Sequence, residues 1–228
     1  MLRPITLVIP AAGSGLRLDP QNPKQFLEYR GLKTLEWTLK AFEPVANRLS
    51  KIVIALPEAY VNELKLQHEF TSVDLIAGGE TRQQSVLNGL AHLHQQKLLN
   101  GSLCLVHDAA RPLLHPDDLK HLIDALDRHA QAAILGIPVK DTLKKSTPEG
   151  TIETTIARDQ LWQAQTPQAA WGELMYEAHL EAASNKSQVT DDASILELKG
   201  YNVHLIESQH LNFKITTSQD WELFKRLI

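Results

Sequence analysis

Short apolar runs rich in isoleucine, valine and leucine alternate with segments whose apolar positions recur every three or four residues. Runs of that kind, bounded by turn residues, predict strands buried on both faces, and the longer spacing predicts helices with one packed face. The runs fall at residues 5–9, 51–56, 73–76, 103–107 and 132–138, and the helical spacing at 34–42, 58–69, 81–96 and 116–129. Strand and helix in alternation predict an α/β fold, a Rossmann-like, mostly parallel sheet flanked by helices. In the second helical segment Glu58, Glu63 and Lys65 interleave with Val61, Leu64 and Leu66, the pattern of a solvated outer face and a packed inner one. With no internal repeat or low-complexity tract, one domain over residues 1–228 is the expectation.

Residues 140–158, KDTLKKSTPEGTIETTIAR, break this alternation. Threonine and isoleucine alternate with polar residues on either side of Pro148-Glu149-Gly150, so the stretch predicts a β-hairpin. It is polar on both faces. Composition favours a surface loop; the alternative is an arm that gains its burial on another subunit or over a substrate.

Composition narrows the function. With 23 basic and 27 acidic residues the formal net charge is −4, which leaves no broad electrostatic footprint for nucleic acid, so any anion must be bound locally. The single Cys104 lies in the apolar run LCLV, which excludes internal disulfides and cysteine-built zinc clusters and fits a reducing cytosol. No apolar stretch approaches the roughly 18 residues of a membrane span, and the first residues carry no cleavage-site pattern. A cytoplasmic protein that engages neither membrane nor nucleic acid is expected.

The chemistry begins directly after the first apolar run, at PAAGSGLRLDPQNPKQF, residues 10–26. A strand that ends in small residues and glycines exposes backbone N–H groups able to cradle phosphate oxygens. Leu18 stands where a dinucleotide-binding G-x-G-x-x-G would need its third glycine, and the Gly-Lys-Ser/Thr ending of a P-loop is missing, so neither a Rossmann dehydrogenase nor a P-loop NTPase fits. Arg17 and Lys24 add two permanent cations where an open α/β sheet has its ligand crevice. The stretch VHDAARPLL, residues 106–114, leaves a later strand at the same edge. There Asp108 is either a turn residue or a Mg²⁺ ligand, and the neighbouring Arg111 favours a metal and polyphosphate site. Arg158 and Lys214, the latter in the strand-like run NFKITT, supply further cations.

The blocks PAAGSGLRL, PKQF, AGGETRQQSVLNGL, VHDAARPLL, PVKDT, LWQAQTPQ, VTDDASILE and NFKIT, in this order from about residue 5 to 221, resemble the 2-C-methyl-D-erythritol 4-phosphate cytidylyltransferase family. The resemblance implies a nucleotidyltransferase of glycosyltransferase-A-like fold. It implies transfer of a cytidylyl group from CTP to methylerythritol phosphate with release of pyrophosphate, in isoprenoid precursor synthesis. Arg17 and Lys24 match the pair that stabilises the transition state, Asp108 the carboxylate that holds Mg²⁺, and Lys214 the lysine that contacts phosphate and substrate beside that metal. Ala11, Ala12, Gly13 and Gly15 match the loop under the nucleotide, and Gly79, Glu80 and Ser85 the cytosine pocket, Glu80 standing where aspartate is more usual.

Arg111, Thr142 and Arg158 match the residues that grip the second substrate. In the family the arm at about 139–159 crosses to a neighbouring subunit, which implies a homodimer with shared sites and reverses the loop preference. Thr190 and Asp191 match a wall of the crevice, and Arg82 is given no catalytic role because a helix-terminal surface position suits it equally. A ribitol 5-phosphate cytidylyltransferase and a non-catalytic CTP-binding module are the competing expectations.

Overall fold

The computed structural model describes residues 2–13, 22–128, 130–187 and 189–228. In chain order its first half runs β1 (Ile5–Pro10), β2 (Glu28–Tyr29), β3 (Leu32–Lys33), α1 (Thr34–Lys40), β4 (Leu49–Leu56), α2 (Glu58–Val61), β5 (Val73–Ala77), α3 (Arg82–Gln95), β6 (Leu103–Val106) and α4 (Pro116–Arg128). The second half runs β7 (Ala132–Pro138), β8 (Leu143–Ser146), β9 (Ile152–Ile156), β10 (Trp162–Trp171), α5 (Gly172–Ser184), α6 (Asp192–Leu198), β11 (Val203–Glu207) and α7 (Ser218–Leu227).

Seven strands form one sheet in the order β11-β7-β10-β6-β1-β4-β5. β10 runs antiparallel to both its neighbours, and every other pairing is parallel. The alternation of side chains along the strands divides the core. Ile5, Leu7 and Ile9 of β1 point into a layer with Leu35 and Leu39 of α1 and Leu119 and Leu122 of α4. Val8 points the other way, towards Val86 and Leu90 of α3 and Met175 of α5. Both faces are therefore covered, which is why the central strands read as unbroken apolar runs. Cys104 lies on the α3–α5 side, fully buried, and burial pushes its thiol up to about 12. It is an inert packing residue at neutral pH. Among the described residues no helix is long and apolar enough to cross a membrane.

Two expectations about local structure change. The helix predicted over 58–69 stops at Val61. Glu36, fully buried, accepts the backbone N–H of Gln67 at 2.6 Å, which captures this stretch in a non-helical path. Leu64, Leu66 and Phe70 still pack on the core from there, so their spacing reported burial rather than helix. The run NFKITT joins no strand. Its polar backbone groups are taken by loops instead: Asn212 O accepts from Arg111 Nη1 at 2.7 Å, Ile215 N–H donates to Ala110 O at 2.8 Å, and Ile215 O accepts from Lys24 Nζ at 2.8 Å.

The apolar pattern also assigns nothing to β10, α5, α6, β11 or α7. α7 closes the molecule by burying Phe224 against Tyr29, Trp37 and Trp221 at ring separations of 6.3, 6.2 and 5.4 Å. The hairpin over 140–158 is present as β8 and β9, a two-stranded sheet separate from the main one. Its turn places Gly150 at φ +84°, a conformation that glycine adopts without strain.

Candidate active site

The chain passes from β1 to β4 and β5 on one side of the sheet, then returns to β6 on the other. This reversal opens a crevice at the carboxyl ends of β1 and β6, the customary ligand position in an open α/β sheet. A cleft of about 340 Å³ lies there. Its walls are the 10–13 turn after β1, Lys24 and Gln25, the 79–82 turn into α3, Asp108 to Ala110 after β6, and Lys214 and Thr216.

The turn after β1 is held from beneath. Gln25, 3% exposed, donates through Nε2 to Ala11 O at 2.7 Å and to Gly13 O at 2.9 Å, so the carboxamide fixes two successive carbonyls and leaves the loop's other edge towards the cleft. On the opposite wall Gly78 approaches so closely that a Cβ there would sit 2.4 Å from the Ala12 Cβ. Only glycine lets the two turns meet at this distance. Ser85 is buried; its Oγ accepts the Gly79 N–H at 3.0 Å and donates to Thr81 O at 2.9 Å. One lone pair of that hydroxyl remains for a ligand. Thr81 caps α3 by accepting the Gln84 N–H at 3.1 Å.

Asp108 is the electrostatic centre. Its Oδ1 lies 2.9 Å from Arg82 Nε, and its Oδ2 lies 2.9 Å from Lys214 Nζ and 3.4 Å from Arg111 Nε. Burial by itself would raise this carboxyl; Arg82, then Lys214 and Arg111, overcome that and hold it well below the usual carboxylate range. It is ionised throughout the physiological range. Arg82 in turn reaches Asp192 Oδ2 through Nη2 at 2.7 Å. Asp192 is fully buried at the start of α6, and despite that burial Arg82, then His179, bring its carboxyl down to about 2. His179 Nε2 lies 3.2 Å from Asp192 Oδ1.

A second chain of bonds sets the Asp108 backbone. The Asp108 N–H donates to Thr166 Oγ1 at 3.0 Å; the Thr166 hydroxyl lies 3.1 Å from His107 Nδ1, and His107 Nε2 lies 3.0 Å from Arg111 O. The carbonyl can only accept, so Nε2 carries the proton and Nδ1 accepts from the threonine. Burial pushes His107 down to about 4, which keeps this ring neutral.

The predicted residues are distributed unevenly. Ala11, Ala12, Gly13, Lys24, Gly79, Glu80, Ser85, Asp108 and Lys214 all line the cleft. Gly15 and Arg17 lie outside the described residues. Arg111, expected to grip substrate, is not among the residues that line the cleft; it contacts Asp108 and donates to the Asn212 carbonyl, with a side chain 12% exposed. Thr142 and Arg158 sit on the exposed hairpin and do not line this cleft; the Arg158 guanidinium donates to Lys140 O. Asp191 caps α6 by accepting the Ser194 N–H at 3.0 Å and also accepts Gln168 Nε2 at 2.8 Å, a structural part beside the site.

The chief residue that sequence reasoning passed over is Arg82, which lines the cleft and joins its carboxylate to α6. A signal existed: an arginine at the first position of α3 opposes the helix dipole, so it calls for anionic partners. Gln25 within PKQF is the second, a polar side chain spent wholly on the glycine turn.

An open, mostly parallel sheet with a cation-rich cleft and one ionised carboxylate at its switch point defines an α/β nucleotide-binding protein. The 2-C-methyl-D-erythritol 4-phosphate cytidylyltransferase family model matches residues 5–227. A cytidylyltransferase of that name from Nostoc punctiforme is 40% identical over 221 residues, covering 94% of this chain and 93% of its own. One from Aliivibrio fischeri is 38% identical over 224 residues, covering 96% and 91%. The crystal structure of the Francisella tularensis 2-C-methyl-D-erythritol 4-phosphate cytidylyltransferase superposes with a TM-score of 0.84 at 34% identity, covering 99% of this chain and 100% of that one. The chain belongs to the 2-C-methyl-D-erythritol 4-phosphate cytidylyltransferase family.

Proposed function

We propose that this protein transfers a cytidylyl group from CTP to 2-C-methyl-D-erythritol 4-phosphate. A phosphate oxygen of the acceptor forms a bond to the α-phosphorus, the bond to the β-phosphate oxygen breaks, and the electron pair leaves with pyrophosphate. The carrying observation is that Lys24 and Lys214, from opposite ends of the chain, line one cleft with Asp108, and that the Lys24 ammonium is seated on the carbonyl of the residue next to Lys214. Displacement at phosphorus gathers negative charge on its equatorial oxygens, so preorganised cations and alignment supply the catalysis. The nucleophile is already ionised at neutral pH and needs no general base. That agrees with a cleft lined by no histidine among the described residues.

The donor chemistry of the cleft fits Mg²⁺: one hard, ionised carboxylate, 8% exposed, beside space for phosphate oxygens that complete the shell. Asp108 would hold the ion, which when bound neutralises phosphate charge. Lys24 and Lys214 bind and orient the triphosphate, joined by Arg17 on the strength of the resemblance. Gly79, Glu80 and Ser85 form a pocket whose close packing at Gly78 suits a pyrimidine better than a purine. Purified protein with CTP and Mg²⁺ is expected to release pyrophosphate with methylerythritol phosphate faster than with ribitol 5-phosphate. Preference for ribitol 5-phosphate overturns the acceptor, and CTP binding without pyrophosphate release overturns the enzyme.

The working unit in this reading is a homodimer. β8 and β9 form a two-stranded sheet with Ile152 66% and Ile156 38% exposed, and such a sheet is marginal without a surface to rest on. A partner subunit supplies that surface, and Thr142 and Arg158 then reach the partner's cleft. Arg158→Ala chains mixed with Lys24→Ala chains are expected to regain activity, because a hybrid dimer holds one intact composite site. Absence of recovery with demonstrated subunit exchange removes the shared site.

A further inference from the structure

We propose that His115, Asp117 and His210 form a binding site for a borderline transition-metal ion of the Zn²⁺ class, separate from the catalytic cleft. Each offers one donor atom, and the three donors lie within 4.8 Å of one another. His115 and Asp117 flank the first residue of α4, and His210 follows β11, so an ion here would join two elements distant in sequence.

The histidines are arranged for this role. His210 Nδ1 lies 3.2 Å from Oδ1 of Asp118, a fully buried carboxylate that also accepts the Ser208 hydroxyl at 2.7 Å and the Gln209 N–H at 3.1 Å. A carboxylate can only accept, so Nδ1 carries the proton and Nε2 is left with its lone pair. A carboxylate behind one imidazole nitrogen is the arrangement that orients and strengthens metal-ligating histidines. His115 Nδ1 accepts the Asp117 N–H at 3.3 Å and lies 3.7 Å from Asp117 Oδ2, so its single lone pair must swing from that amide to meet an ion.

Two donors on one tetrahedral zinc, each about 2.0–2.1 Å from it, stand roughly 3.4 Å apart. The observed separations, up to 4.8 Å, therefore need closing by at most about 1.4 Å. The two rings stack at 3.5 Å and 9° and must turn about their side-chain bonds to face one ion. Side-chain exposures of 40% for His115, 66% for Asp117 and 36% for His210 permit that turn. Two imidazoles and one carboxylate select Zn²⁺, Co²⁺ or Ni²⁺ over Mg²⁺, which prefers oxygen donors. The consequence is local. The segment that begins at His210 continues to Asn212 and Lys214, so the ion would fasten α4 to the stretch that carries a cleft lysine.

The test uses chelator-treated full-length protein without nucleotide. Titration with ZnCl₂ is expected to show one ion per chain, and CoCl₂ to give the visible absorption of a low-symmetry site. His115→Ala and His210→Ala are each expected to weaken Zn²⁺ binding at least about tenfold and to abolish the Zn²⁺-dependent rise in Tm, with circular dichroism confirming the fold. Absence of stoichiometric binding in the wild type overturns the site. So does undiminished affinity in both variants, because the ion would then lie elsewhere.

Discussion

Lys24→Ala is expected to lower kcat by at least about a hundredfold while weakening CTP binding by less than about tenfold. A hundredfold corresponds to about 2.7 kcal/mol of lost transition-state stabilisation, the scale of one preorganised charge withdrawn from a site where charge develops. The split is expected because, in the proposed binding mode, ground-state CTP would still meet Lys214 and the backbone of the 10–13 turn, whereas the α-phosphoryl oxygens gain charge only during transfer. The position of Lys24 is well defined: it opens a single 3-10 turn over Lys24–Phe26, and its ammonium donates to Ile215 O at 2.8 Å. Single-turnover pyrophosphate release alongside calorimetric CTP titration measures both quantities. Near-normal kcat would remove Lys24 from the mechanism, and an equal loss in both would make it a simple binding residue.

The second large effect is on stability. Arg82→Ala is expected to cost about 3 kcal/mol at pH 7, because it leaves Asp192 buried and ionised with its main counter-charge gone. Lys at this position should recover little, since a single ammonium cannot span the two carboxylates that Nε and Nη2 reach at 2.9 and 2.7 Å. The pH dependence follows from the depressed folded-state values. In the wild type the Asp192 carboxyl is near 2, below its unfolded value of about 3.9. It therefore contributes stability that is fully present above about pH 5 and is lost as the pH falls through the folded value. Without Arg82 the same carboxyl is raised by burial, so its contribution reverses sign and deepens as the pH rises. The gap between wild type and variant should accordingly be widest at pH 7, narrow below about pH 5 and close only as the pH falls past about 2. Urea midpoints across that range test it, and a gap independent of pH would show that the loss is packing rather than charge.

How far the chain could be read before folding differs by region for physical reasons. The central strands were legible because burial on both faces demands continuous apolar residues, as in ITLVI and LCLV. α3 and α4 were legible because each packs one stripe against the sheet. β10 was not: WQAQTPQAAW carries glutamines and a proline, and it is a strand because β6 and β7 flank it and bury it. The α2 region misled because apolar side chains at helical spacing also pack from an irregular backbone once Glu36 has taken the Gln67 amide.

The amino-acid sequence by itself determined the α/β alternation, the glycine turn after the first strand, the hairpin, and the kinds of residue that anion chemistry requires. Those depend on local spacing and on side-chain charge, which are properties of the chain. Tertiary structure alone decided which charges share a site. Arg82 and Asp192 are 110 residues apart, and Lys24 and Ile215 are 191 apart, yet each pair is in direct contact. Only the turning back of the sheet between β5 and β6 brings them to one crevice, and only burial there makes their mutual attraction strong enough to hold Asp108 and Asp192 ionised.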